Sequence, residues 1–321
     1  MQPYGITIPF DGILLPRQRD LVAELPDLGY TEVWSSEAGG ADAFTPLALA
    51  SAWAPSLRLG TAIVPAYTRG PATLAQCAAT LAAAAPGRLT LGIGTSTAVI
   101  VERWNGGDLD RPYQRVRDLA RFLRAAMGGA KVSERYETFA VDGFRLQLVP
   151  EQAPKLLIAA LRPGMLRLAG RESDGAILNW LAPDDVPTVA PYVRQAGPGK
   201  ELVARIFVAA GDDDEAARAV ARRAIAAYLT VPVYRAFHEW LGRGEQLAPM
   251  WRAWEAGDRK AALAAIPDEV VDALVVHGPP ASCREQVRRY VEAGVTTPVL
   301  ALLPVGGDPS ELVRALAPAA G

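Results

Sequence analysis

Residues 57–96 read LRLGTAIVPAYTRGPATLAQCAATLAAAAPGRLTLGIGTS. A short apolar run comes first, then a loop punctuated by Pro and Gly, then an Ala-rich stretch. A second apolar run closes on Gly-Ile-Gly-Thr-Ser. The pattern predicts one β-α-β unit, with strands at Leu57–Val64 and Leu89–Gly94 around a helix at Ala72–Ala84. In α/β proteins ligands sit at the carboxyl ends of the strands. Glycines there let a ligand approach the backbone, and free N–H groups can hold phosphate. Glycines also end strands for steric reasons alone, so this turn by itself does not separate the two readings.

The same alternation extends to both sides. Further strands are predicted at Tyr4–Pro9, Glu32–Ser36, Lys155–Ala160, Gly175–Trp180, Leu202–Ala209 and Pro298–Leu303, making eight. Helical patterns follow at Arg17–Leu28, Pro46–Trp53, Tyr113–Ala126, Gly164–Gly170, Val186–Gln195, Asp214–Leu229 and near Ser310–Ala317. Eight β-α repeats without a linker between them predict an α/β fold of the (β/α)8 TIM-barrel type, one domain over residues 1–321. Two insertions interrupt it. Lys131–Leu148 reads as a hairpin with Asp142-Gly143 as its turn. Thr230–His277 reads as a helical excursion before the last helix and strand, carrying Tyr234, Phe237, His238, Trp240, Trp251 and Trp254. Such aromatics serve either helix packing or a lid over a site. Ser282 is the expected cap of the helix that follows.

Composition narrows the function. The 321 residues carry 33 basic and 35 acidic side chains, a net charge of −2, and no basic stripe for a nucleic acid. No apolar run approaches the ~20 residues of a membrane span, and MQPYGITIPF reads as a first strand, with no basic region and apolar core of a signal peptide. Cys77 and Cys283 lie in separate helical patterns, as expected of thiols in a reducing compartment. These features predict a cytoplasmic protein with a small-molecule partner. The acidic cluster at 212–215 opens a helix, where negative charge complements the free N–H groups.

Hydrolytic chemistry lacks its residues. Neither His238 nor His277 falls at the carboxyl end of a predicted strand, so no metal is expected. There is no Gly-x-Ser-x-Gly elbow, no Walker loop and no strand-borne dinucleotide fingerprint. The strand ends instead offer Ser35-Ser36-Glu37, Ala62-Ile63-Val64-Pro65, Gly94-Thr95-Ser96-Thr97, Leu161-Arg162-Pro163-Gly164-Met165 and Asn179-Trp180. This apolar mouth with hydroxyls, one carboxylate and one guanidinium suits a planar phosphorylated cofactor that carries the chemistry itself. Arg162-Pro163-Gly164 at a helix start can hold a phosphate, or Arg162 can simply be solvated.

The stretches LGTAIVPAYTRGPATLAQ and PGRLTLGIGTS resemble the luciferase-like monooxygenase superfamily, and within it the branch that uses the deazaflavin coenzyme F420. So do VWSSEAGGADAFTPLALA, VERWNGGDLDRPYQRVRDLARFLR, IAALRPGMLRLAGRESDGAILNW and EAGVTTPVLAL, so the resemblance covers nearly the whole chain. It implies a ring bound at the strand ends, with Glu37 near it. It implies a bulge at Ala62-Ile63, often a non-prolyl cis peptide, followed by Val64. By the same resemblance Thr95, Ser96 and Ile100 contact the cofactor, and Leu161, Arg162, Gly164 and Met165 form the phosphate turn. The sugar-phosphate dehydrogenases of this branch carry a His after the acidic residue and a Glu after strand four. Here those positions are Ala38 and Thr97, so that activity is not expected.

The resemblance therefore implies hydride transfer between coenzyme F420 and an unidentified small organic substrate, with Glu37 as the one candidate proton carrier. An FMN-dependent monooxygenase on the same barrel and a weakly catalytic cofactor-binding protein are the alternatives. It also implies a homodimer, for which the Ala-rich face of Thr73–Ala85 offers close helix packing.

Overall fold

The structure, a computed structural model, describes residues 2–319. Eight parallel strands follow one another around a closed barrel. They are Gly5–Thr7 (β1), Glu32–Ser35 (β2), Arg58–Thr61 (β3), Leu89–Gly94 (β4), Lys155–Ala159 (β5), Gly175–Asn179 (β6), Glu201–Ala210 (β7) and Thr297–Leu302 (β8). Each pairs with the next, and β8 returns to β1 through Gly5↔Val299 and Ile6↔Leu300. This is the expected (β/α)8 architecture. Helices cover the outer face, so the strands are buried on both sides and read as nearly unbroken apolar runs.

Several helices start one residue earlier than the pattern predicts, at Pro71, Pro112, Pro163 and Pro309. Proline suits the first helical position because the N–H it lacks has no partner there. The first helix is shorter than predicted. A 3-10 turn at Leu15–Gln18 leads into Arg19–Glu24, and Pro26 follows. Asp213 caps Asp214–Leu229 by accepting from the Ala216 amide at 2.9 Å.

Three expectations need correction. The hairpin pairs Val132–Arg135 with Ala140–Phe144, but its turn lies at residues 136–139, closed by Tyr136 N–H donating to Phe139 O at 2.9 Å. Asp142-Gly143 sits inside the second strand. Gly143 takes φ +70° beside an irregularity in the pairing, and its N–H donates to Ser133 Oγ at 2.8 Å. A β-bulge uses the same left-handed glycine that a tight turn does. Ser282 is not a cap, because the helix Pro280–Glu292 already contains it and starts on prolines that need no acceptor. The Ala-rich face of Pro71–Ala84 is not free for dimer packing. Ala75, Ala78, Ala79, Ala82 and the following Ala85 are all buried within this chain, leaving Thr73, Gln76, Thr80, Ala83 and Ala84 outward.

The excursion after Asp214–Leu229 forms four helices, Pro232–Trp240, Gly244–Glu255, Arg259–Ala264 and Asp268–Leu274. It ends in an unpredicted short strand, Val275–Gly278, which adds to β7 beyond the barrel. Trp251 and its neighbours pack in a second core against Asp214–Leu229. His238, on the first of these helices, is fully buried.

The barrel interior is filled by Trp34, Leu157, Ile177, Val203 and Val299. The indole needs the glycines across from it. A Cβ at Gly60 would overlap the ring, and one at Gly5 would come within 2.9 Å of it. Trp34 Nε1 donates to Glu32 Oε2 at 2.9 Å, and Glu32 pairs with Arg58 at 2.9 Å. Burial raises the Glu32 carboxyl above its usual range, and Arg58 pulls it partly back.

Two measurements check this account. Gly60→Ala should destabilise by about 1–3 kcal/mol, the usual cost of overpacking. Trp34→Phe in the same chain should recover part of that loss in a denaturation cycle. His238 is held neutral, its pKa pushed down to about 3 by burial and by the Arg243 charge. Its folded value lies below the unfolded one, so its contribution is present above about 6.5 and lost as pH falls toward 3. Melting curves of His238→Leu should therefore show a shallower loss of stability from pH 6.5 to 4 than wild type.

Candidate active site

Side chains on a strand alternate, so the residue two places beyond each plug residue faces the barrel mouth. From Trp34, Leu157, Ile177, Val203 and Val299 this gives Ser36, Ala159, Asn179, Arg205 and Ala301. All five line cavities at the carboxyl ends of the strands. The floor of the mouth is thus set one layer above the indole.

One cavity, of about 170 Å³, is bounded by Glu37, Ala62, Ile63, Thr95, Ser96, Thr97, Ile100, Ala159, Leu161, Asn179 and Tyr234, among others. Seven sequence-predicted site residues therefore meet here: Glu37, Ala62, Ile63, Thr95, Ser96, Ile100 and Leu161. Val64 does not reach it and is buried in the outer core. Arg162, Gly164 and Met165 lie just beyond Leu161, at the start of the helix Pro163–Glu172.

The wall at Ala62-Ile63 is a break in β3. Pairing stops at Thr61 and resumes at Val64-Pro65 against Ile93 and Gly94 of β4. The expected non-prolyl cis peptide is present at Ala62-Ile63. β2 holds both sides of the bulge: Ala62 N–H donates to Ser35 O at 2.6 Å, and Glu37 N–H donates to Ile63 O at 3.1 Å. Opposite, Ser96 takes φ +63° as the chain leaves β4, and a single π-helical turn, Val99–Trp104, brings Ile100 to the cavity.

Glu37 is already engaged. Its Oε2 accepts from Arg69 at 2.6 Å and from Ala43 N–H at 3.3 Å, and its Oε1 accepts from Thr68 Oγ1 at 3.2 Å. Both partners of the ion pair are mostly buried, so the carboxylate fastens the loop after β2 to the loop after β3. The positions of the absent acid–base pair, Ala38 and Thr97, do line the mouth. Asn179 Nδ2 donates to Tyr234 Oη at 2.9 Å, while Asn179 Oδ1 is buried without a partner. Burial pushes the Tyr234 phenol up to about 12, so it stays protonated at neutral pH.

At the helix start, Arg162 is an exposed N-cap residue. Pro163 has no N–H, which leaves the Gly164 and Met165 amides as the free donors of the first turn. A Cβ at Gly164 would meet nothing within 4 Å, so the space before these amides is open.

The sequence reading missed Thr7, Arg205, Tyr228 and Val233, which also line the mouth. Arg205 was legible: apart from the opening Glu201 it is the one charged residue in the run ELVARIFVAA. The tyrosine and valine come from helices, and helical spacing alone does not give their direction.

The model of the luciferase-like monooxygenase family matches residues 7–297. The chain belongs to this family. A protein of Mycobacterium tuberculosis whose name assigns it to the coenzyme F420-dependent oxidoreductases is 27% identical over 98% of this chain and 97% of its own. The 5,10-methylenetetrahydromethanopterin reductase of Archaeoglobus fulgidus is 26% identical over 90% of each chain. Among solved structures, the coenzyme F420 dependent tetrahydromethanopterin reductase from Methanopyrus kandleri superposes with a TM-score of 0.79 at 19% identity, covering 99% of this chain and 97% of that one. This last likeness shares the barrel fold.

The Glu37–Arg69 clamp has a direct test. Glu37→Gln should cost about 1–3 kcal/mol, less than the 3–5 kcal/mol of a fully buried pair. The same change in an Arg69→Met background should cost much less. Equal costs in the two backgrounds would mean that the pair contributes nothing.

Proposed function

We propose that this chain is an oxidoreductase that uses coenzyme F420 to move a hydride to or from a small organic substrate. The observation that carries the proposal is the cavity walled by the Ala62-Ile63 bulge, with Ala159 on its floor and Thr95, Ser96 and Leu161 at its edge. A planar ring can lie against such a wall. The name of the Mycobacterium tuberculosis relative favours the deazaflavin over FMN.

In this reading Ala62 and Ile63 back the ring, and Thr95 and Ser96 hold its polar edge. The Gly164 and Met165 amides hold the phosphate with Arg162, since a helix start and a guanidinium both favour anions. When bound, the deazaflavin supplies the two-electron chemistry, and the protein contributes placement and exclusion of water. Glu37 keeps the floor in position through Arg69. With Ala38 and Thr97 at the mouth, no side chain there replaces the His and Glu of the sugar-phosphate enzymes. General acid–base groups contribute ~10²–10⁴-fold, so glucose 6-phosphate oxidation should be negligible. Cytoplasmic location, which rests on the composition, and homodimeric assembly, which rests on the family resemblance, belong to the same proposal.

Titration of the purified chain with oxidised F420 and with FMN tests the proposal. F420 should bind at least tenfold more tightly, and Gly164→Asp should weaken it by at least tenfold by placing a carboxylate before the phosphate amides. Tighter binding of FMN, or co-purification of FMN at one per chain, would overturn the cofactor assignment.

A further inference from the structure

A second cavity, of about 250 Å³, adjoins the first. The two share Ser36, Ala38 and Arg205. The second lies on the side of β8, β1 and β2, away from the bulge of β3. Its walls are largely apolar, with Ile8, Phe10, Leu303, Pro304, Val305 and Leu312 prominent. One wall is the chain after β1, which is fixed rather than loose. The buried Gln18 side chain accepts from Phe10 N–H at 2.9 Å and donates to Phe10 O at 3.0 Å and Ile13 O at 2.7 Å.

Two polar groups in this apolar chamber lack partners. Arg205 Nε is buried with no hydrogen bond, and so is Thr7 Oγ1. Arg205 lies 4.9 Å from the Phe207 ring, and no carboxylate comes within 4.0 Å of it among the described residues. Asp11, the one carboxylate on the chamber, stands exposed on the loop after β1. A half-buried guanidinium without a counter-charge is costly, and pairing it with an anion recovers that cost.

We propose that this chamber takes the second substrate, and that the substrate is an apolar monoanion. Its hydrocarbon body fills the chamber, and its carboxylate pairs with Arg205 and accepts from the Thr7 hydroxyl. The part that calls this molecule a substrate rests on the cofactor reading above. The binding itself does not, because every residue named is present in the cofactor-free chain. Arg205 stands where the two cavities meet, so it would also set the distance between the anion and the ring.

Calorimetric titration of the cofactor-free protein with octanoate and octan-1-ol tests this. Octanoate should bind at least tenfold more tightly than the alcohol, given the ~1.5–3 kcal/mol of a hydrogen bond to a charged group. In Arg205→Met the difference should shrink to within about twofold, while Arg205→Lys should keep most of it. Thr7→Val should weaken octanoate several-fold. Acetate, which has the charge without the body, should bind at least tenfold more weakly than octanoate. Melting curves of each variant confirm folding. Equal affinity for octanoate and the alcohol in wild type, or an undiminished preference in folded Arg205→Met, would overturn the proposal. So would competition between F420 and octanoate, or loss of F420 binding in Arg205→Met, since either assigns the guanidinium to the cofactor. Failure of F420 to bind wild type, with the octanoate results as expected, would instead sink the cofactor reading and leave the anion chamber standing.

Discussion

The barrel is organised around one steric fact: an indole stands at its centre. Trp34 occupies space that most eight-stranded barrels divide among several branched side chains. It can do so only because Gly60 and Gly5 present no Cβ to it. Its N–H is satisfied by Glu32 within the same barrel, and Glu32 is ion-paired with the partly exposed Arg58, so a polar chain runs from the ring toward the surface. The mouth above inherits its height from this plug. The next residues along β2, β5, β6, β7 and β8 form the floor, and three of those five are Ser or Ala.

Placement of the functional groups follows from that floor. The bulge at Ala62-Ile63 is fastened by backbone bonds to β2, and the Glu37–Arg69 pair ties the adjoining loops together. The carboxylate that the sequence offers as a proton carrier thus also ties two loops together. Asn179 and Arg205 are less constrained. Each has a buried polar atom left unpaired, and each faces the mouth, where a bound molecule can complete it.

Much of this was readable in the chain. Eight apolar runs separated by helical patterns gave the strands almost residue for residue, because strands buried on both faces have a strong composition signal. The strand ends that carry Glu37, Thr95, Ser96 and Leu161 were readable for the same reason, and the family resemblance singled out these residues. What local reading could not supply was context. Asp142-Gly143 has one backbone preference and two structural uses, and only the pairing of Val132–Arg135 with Ala140–Phe144 selects the bulge. Val275–Gly278 is a strand because β7 extends past the barrel to receive it. Tyr228 and Val233 come to the mouth from helices of distant segments, and no local spacing announces that.

The central claim is that the cavity beside the Ala62-Ile63 bulge, above Trp34, is the seat of a planar deazaflavin. A crystal structure of the F420 complex tests it most directly. The account predicts the ring against Ala62 and Ile63 in the cavity that Thr95, Ser96 and Leu161 also line, with the phosphate at the Gly164 and Met165 amides. A ring lying instead in the chamber lined by Phe10, Leu303 and Val305, or a phosphate away from Gly164, would contradict it.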